Sequence, residues 1–145
     1  MGAKVSFDFD GVLSRPVVQA LAAELLAAGH DVWVVTMRYA SARDMAQGEA
    51  DCAAVWEGND DLFAVVDRLG IPRENVIFTN YDWKTAAIAR QAFVWHLDDC
   101  AETLQHLQAH CRTTRAISAW NTSGWRNKCL KLIAYPADRA REPCP

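Results

Sequence analysis

Four aspartates and a lysine carry the most reactive pattern in this sequence. Asp8 and Asp10 stand two apart in Phe7-Asp8-Phe9-Asp10-Gly11, and Asp98 and Asp99 are adjacent in His96-Leu97-Asp98-Asp99. Thr36, at the end of an apolar run, and Lys84 lie between them in the chain. A lone Asp is more often a turn or helix-cap residue than a ligand, and a lone Thr or Lys says still less. Four carboxylates delivered to one place are another matter, because they repel one another strongly unless a cation holds them. Oxygen donors with no His or Cys cluster beside them favour Mg2+, which keeps several waters and takes phosphate oxygens as further ligands.

Such a meeting requires each residue to arrive at one edge of the fold. Apolar runs at residues 5–10, 31–36, 75–79, 93–97 and 115–120, rich in β-branched and aromatic residues, read as strands buried on both faces. Helical spacing lies between them. Pro16 opens a helix over 16–28, with Val17, Leu21, Leu25 and Ala28 on one face and Gly29 as its stop. Asn59 or Asp60 caps 61–69, with Leu62, Val65, Val66 and Leu69 inward and Gly70 and Pro72 closing it. Asp82 caps an alanine-rich helix through Gln91, and a further helix covers 100–110. Residues 39–57 read as one short helix from Ser41, and 124–133 as a helix or an edge strand.

This alternation predicts an α/β fold, a three-layer Rossmann-like sandwich around a mainly parallel central sheet. Ligands of such sheets bind beyond the C-terminal strand ends. Asp8 and Asp10 end the first strand on one side, with Phe9 turned into the body. Thr36 ends the second, Lys84 opens the helix after the third, and Asp98 and Asp99 end the fourth.

Composition agrees with one such domain. The 145 residues are 51% hydrophobic and 23% charged with a net charge of −3. That is enough to bury a core without disulfides, too apolar for disorder, and without a run long enough to span a bilayer. The expected catalytic core is 4–120, followed by a basic segment at 121–145. Residues 1–111 hold 8 Lys and Arg against 16 Asp and Glu, whereas 112–145 hold 7 against 2. The basic end fits either an anionic partner such as nucleic acid or a solvated face balancing the acidic body. Five dispersed cysteines (Cys52, Cys100, Cys111, Cys129 and Cys144) read as reduced thiols in the cytoplasm. The early strand argues against a signal peptide and against lipidation at Gly2, and the Asn121-Thr122-Ser123 sequon matters only in a secreted chain.

The pattern resembles the haloacid dehalogenase-like hydrolase superfamily. Phe7-Asp8-Phe9-Asp10-Gly11-Val12-Leu13 resembles its first motif, Val34-Val35-Thr36 its second, Lys84 the third and His96-Leu97-Asp98-Asp99 the acidic fourth. The likeness spans residues 4–99. It implies that Asp8 is a nucleophile forming an aspartyl-phosphate and that Asp10 protonates the leaving oxygen and then activates water. Asp8, Asp98 and the Asp10 backbone carbonyl would ligate Mg2+, with Asp99 supporting the ion directly or through water. Thr36 and the Met37 N–H would hold phosphoryl oxygens, and Lys84 would neutralise charge. Asp10 argues for a phosphatase or phosphomutase, because dehalogenating members lack it and the ion-pumping ATPases carry another residue there.

The family's caps are inserted after the first motif or between the second and third, and neither interval holds a domain here. Residues 38–57 leave room for a short flap. An uncapped site suits hydrolysis of a phosphate on a large substrate, such as a nucleotide or nucleic-acid end, or completion by a partner subunit in a homodimer. Arg38 could contact a second anionic group, or simply pair with Asp44 or Glu49 on the surface. Tyr81 and Trp83 could stack on a base or sugar. Trp33, Trp95 and Trp120 read as core, Trp56 and Trp125 as packing, and His96 as a hydrogen-bonded sheet residue. The resulting expectation is a cytoplasmic Mg2+-dependent phosphatase. A phospho-accepting receiver domain and a catalytically silent binding module on the same fold are the competing readings.

Overall fold

A computed structural model describes residues 2–48, 58–120 and 124–135. Five short strands, β1 (Lys4–Phe7), β2 (Asp31–Thr36), β3 (Val76–Phe78), β4 (Trp95–Asp98) and β5 (Arg115–Ser118), make one sheet in the order β3-β2-β1-β4-β5. Every pairing is parallel, with Phe7 beside Val34 on one flank and Leu97 on the other. Parallel strands need covered faces, and among the described residues six α-helices accompany them: α1 (Pro16–Ala27), α2 (Ala42–Gln47), α3 (Asp60–Leu69), α4 (Thr85–Gln91), α5 (Ala101–His110) and α6 (Trp125–Ala134). The chain is a three-layer α/β sandwich of Rossmann-like type.

One core joins Val5, Phe7, Val34, Trp95 and Leu97 to buried residues of α1, α3 and α6. The other joins Val35 and Phe93 to Ile88 of α4 and Leu107 of α5. Phe7 and Trp95 meet edge to face at 5.2 Å between ring centroids. Each buried aliphatic or aromatic side chain contributes roughly 1.5–3 kcal/mol by leaving water.

Local features depart from the sequence expectations in four places. The first strand ends at Phe7, and residues 9–13 form one wide turn in which Leu13 and Ser14 N–H donate to the Asp8 and Phe9 carbonyls. Strand alternation therefore does not govern Asp8 and Asp10, and their carboxylates diverge. On α1 the inward stripe is Val18, Leu21, Ala22 and Leu25, while Val17 is exposed. The stripe keeps helical spacing but is set one residue later than expected at its start. Asp82 does not cap α4: its Oδ1 accepts from the Trp83 N–H, because Asn80 and Tyr81 adopt left-handed conformations that fold the preceding loop on itself. Lys84 takes the N-cap position instead. Trp120 lies two residues beyond β5 and is exposed rather than in the core.

The expected basic segment also contributes structure. Its first part is α6, whose Cys129 and Leu132 are buried and whose Cys129 carbonyl accepts from the Trp95 indole N–H at 3.0 Å. Ser41 caps α2 by accepting from the Asp44 N–H, as the short-helix expectation required. Trp56, Glu49, the rest of the expected flap through residue 57, the sequon, Cys52, Cys144 and residues 136–145 lie outside the described residues. Cys100, Cys111 and Cys129 are free thiols. No helix among the described residues is long and apolar enough to cross a membrane.

Candidate functional site

The sheet order reverses at β1: β2 and β3 lie to one side, β4 and β5 to the other. The crevice at such a reversal is where parallel α/β sheets bind ligands. Asp8 follows β1 there, anchored by its N–H to the Leu97 carbonyl at 2.8 Å, and Asp98 closes β4 beside it. Lys84 enters from the start of α4. Its Nζ donates to Asp8 Oδ1 at 2.8 Å and to Asp98 Oδ2 at 2.7 Å, and all three side chains are buried.

A polar chain continues beneath them. Ser6 and His96 face each other across the β1–β4 pairing, on the sheet face opposite Phe7 and Leu97. His96 Nε2 lies 2.8 Å from Asp98 Oδ2, and Nδ1 lies 2.8 Å from Ser6 Oγ. Full burial lowers the His96 pKa despite Asp98, so the ring is neutral near pH 7. A neutral ring donates from Nε2 to the carboxylate and accepts from the Ser6 hydroxyl. The Cys100 N–H donates to Asp98 Oδ1 at 3.0 Å, so both Asp98 oxygens have partners.

These surroundings split the two buried carboxyls. Burial pushes Asp8 up to about 7; Lys84 draws it down, and Asp98 and Asp99 push it up. Burial would raise Asp98 too, but its hydrogen bond from His96 and the neighbouring Lys84 hold it well below the usual carboxylate range. Lys84 is itself held above its ordinary value, the two carboxylates outweighing its burial.

Asp99 completes the group from the exposed side. One oxygen each from Asp8, Asp98 and Asp99 lie within 4.8 Å of one another. An all-carboxylate donor set of this kind suits a hard divalent cation that retains waters. Gly11 makes the approach of Asp99 possible: its φ is +73°, and a β-carbon there would overlap the Asp99 carboxylate.

Asp10 does not join the three carboxylates; its side chain is exposed and faces Arg38. Thr36 is buried at the end of β2, where its Oγ1 accepts from the Arg38 N–H at 3.2 Å. The Met37 carbonyl accepts from Tyr81 N–H at 2.7 Å, tying the loop after β3 to the loop after β2. Arg38 pairs with Asp10 and Asp61, while Asp44 is engaged by Ser41. Tyr81 and Trp83 are exposed as expected, Tyr81 against Tyr39 and Trp83 stacked on His106 at 4.1 Å.

Two residues near this site were not anticipated from the sequence. Asp61, one of many surface acids, gave no signal before α3 was placed. Trp120 passed for a core residue, yet its indole N–H donates to the Gly11 carbonyl at 3.1 Å and its ring carries the Arg15 guanidinium at 4.0 Å. No family model, curated protein or solved structure matches the chain.

Proposed function

We propose that this chain is a Mg2+-dependent phosphatase of the haloacid dehalogenase-like type. The observation that carries the reading is the buried Lys84 bridging Asp8 and Asp98 at the sheet reversal, with Asp99 beside them. Asp8, Asp98, Asp99 and the Asp10 backbone carbonyl would hold the ion. When bound, Mg2+ supplies positive charge against the phosphoryl oxygens and keeps Asp8 ionised.

The residues of the chain do the rest. An Asp8 carboxylate oxygen attacks phosphorus, the bond to the alcohol oxygen breaks, and the Asp10 carboxyl gives that oxygen its proton. A water then attacks phosphorus and loses its proton to Asp10. The bond to Asp8 breaks, releasing inorganic phosphate and restoring both carboxyls. Lys84 offsets the charge of Asp8 and of the phosphoryl group, and the Thr36 hydroxyl and Met37 N–H donate to phosphoryl oxygens. The strand order 3-2-1-4-5 favours this reading over a receiver domain, a flavodoxin-like fold with strands ordered 2-1-3-4-5.

The exposed Tyr81 and Trp83 and the basic C-terminal segment at 112–145 favour a phosphate on a nucleotide or nucleic-acid end. A cytoplasmic enzyme, acting alone or as a homodimer, fits this reading. The test is hydrolysis of p-nitrophenyl phosphate with Mg2+. Activity should vanish reversibly with EDTA and be lost in Asp8→Asn; retained turnover in Asp8→Asn would exclude Asp8 as nucleophile.

A further inference from the structure

Arg38 lies beside the site with all five of its side-chain N–H groups engaged. Nε and Nη2 donate to the two Asp10 oxygens at 2.9 and 2.7 Å. Nη1 and Nη2 donate to the two Asp61 oxygens at 2.7 and 2.9 Å, and Nη1 also reaches Asn59 Oδ1 at 3.5 Å. The guanidinium also lies over the Phe9 ring, 4.9 Å from its centre. An arginine saturated in this way has no donor left for a substrate anion.

The ends of this bridge differ in kind. Asp10 sits in a turn whose backbone is held at Asp8, Phe9 and Val12, and its exposed side chain has no described partner other than Arg38. Asp61 sits in the first turn of α3, which is fixed by two buried residues. Leu62 packs in the core, and Asn59 donates to the Tyr39 carbonyl at 2.9 Å. A planar guanidinium with a bidentate carboxylate on each side fixes both position and plane, which a lysine could not do.

We infer that Asp61 is a positioning residue: through Arg38 it sets the orientation of the Asp10 carboxyl for proton transfer to and from the reacting oxygens. This role rests on the phosphatase reading and adds to it a residue outside the four motifs. General acid–base catalysis requires the group within hydrogen-bond reach in the right plane, and misplacement is felt in the proton-transfer step rather than in binding.

The experiment compares Asp61→Asn with the parent enzyme, in Mg2+, on an alkyl phosphate and on p-nitrophenyl phosphate. The alkoxide must be protonated as it leaves, whereas the nitrophenolate departs unaided. The kcat/KM for the alkyl ester should fall about 10- to 30-fold and that for the aryl ester less than about 3-fold, a fraction of what general acid–base catalysis contributes. Ki for inorganic phosphate should stay within about 2-fold, because binding is not what Asp61 serves. Asp61→Glu should recover part of the loss. The loss in Arg38→Lys/Asp61→Asn should be no greater than in Arg38→Lys alone, since Asp61 acts through Arg38. Asp67→Asn, which breaks the surface Asp67–Arg73 pair on the same helix, should leave both rates unchanged.

Equal losses on the two esters, or a weakened phosphate Ki, would overturn the positioning role while leaving the phosphatase reading intact. A parent enzyme that hydrolyses neither ester overturns both. Asp61 is exposed, so the variants should fold; melting curves of each confirm that losses are catalytic.

Discussion

Asp8 is surrounded by opposing influences, and its protonation has a measurable consequence. Its folded-state pKa of about 7 lies above the ordinary 3.8. The folded chain therefore binds this proton more tightly than the unfolded chain does. The resulting stabilisation is complete below about pH 3.8 and is lost as pH rises through about 7. His96, with a lowered pKa, contributes the opposite slope near its ordinary value, so the two must be separated by difference. Thermal unfolding of the parent chain and of Asp8→Asn should show a melting-point difference that shifts in favour of the variant between pH 4 and pH 8. A pH-independent difference would remove the raised carboxyl from the account. Mg2+ competes for the same oxygen, so its apparent affinity should rise about tenfold per pH unit below pH 7 and level off above it, readable by calorimetry. The placement of Asp8, Thr36, Asp98 and Asp99 at or just past strand ends, and of Lys84 at the start of α4, was legible in the sequence because apolar strand runs and helix starts are marked there by polar side chains. The partners of Arg38 were not, since Asp10 and Asp61 come from different elements and exposed acids are abundant along the chain.

The turn at residues 9–13 is the element that separates Asp8 from Asp10. A strict strand would have placed Asp8 and Asp10 on one face. The turn instead leaves Asp8 with Lys84 and presents Asp10 to Arg38. Gly11 is required twice, for its positive φ and for its contact with Asp99. Gly11→Ala should therefore cost about 1–2 kcal/mol of stability from backbone strain, and it should also weaken stabilisation by Mg2+ by displacing the Asp99 carboxylate. Unfolding with and without the ion tests both effects together. If Gly11→Ala kept the parent's response to Mg2+, Asp99 would have no part in holding it. Helix existence was read correctly from apolar spacing for α1 and α3, whereas the faces and caps were read less well. Val17 and Val18 are chemically alike, and only the docking of α1 on the sheet chooses between them. Asp82 is a good cap by type, but after the left-handed Asn80 and Tyr81 its carboxyl accepts locally from the Trp83 N–H instead.

For the whole molecule, the layer architecture followed from strand–helix alternation, because a parallel sheet must be covered on both faces. The order of strands is not encoded by any local pattern, and it is the order that brings β1 and β4 together. The basic C-terminal segment was expected to hold a helix or an edge strand over 124–133, and its charge drew attention away from the apolar stripe. Cys129 and Leu132 of α6 complete the core over Trp95. Leu132→Ala should destabilise the fold by about 2–4 kcal/mol in denaturant unfolding while leaving Mg2+ affinity unchanged, as expected for a core residue on a helix that carries none of the candidate site residues. If the substrate is a nucleic-acid end, hydrolysis of a terminal phosphate on a short oligonucleotide should weaken steeply between 50 and 200 mM salt, in the manner of counterion release. Activity confined to small sugar phosphates and indifferent to salt would redirect the substrate assignment. The central claim is that Asp8 carries the phosphoryl group between the two steps. Its most direct test uses Asp10→Asn, which lacks the base for the second step, mixed with p-nitrophenyl phosphate and Mg2+, quenched in acid and mapped by peptide mass spectrometry. One phosphoryl group should appear on the peptide containing Asp8. A phosphoryl group on any other residue, or none at all while the parent enzyme turns the ester over, would contradict it.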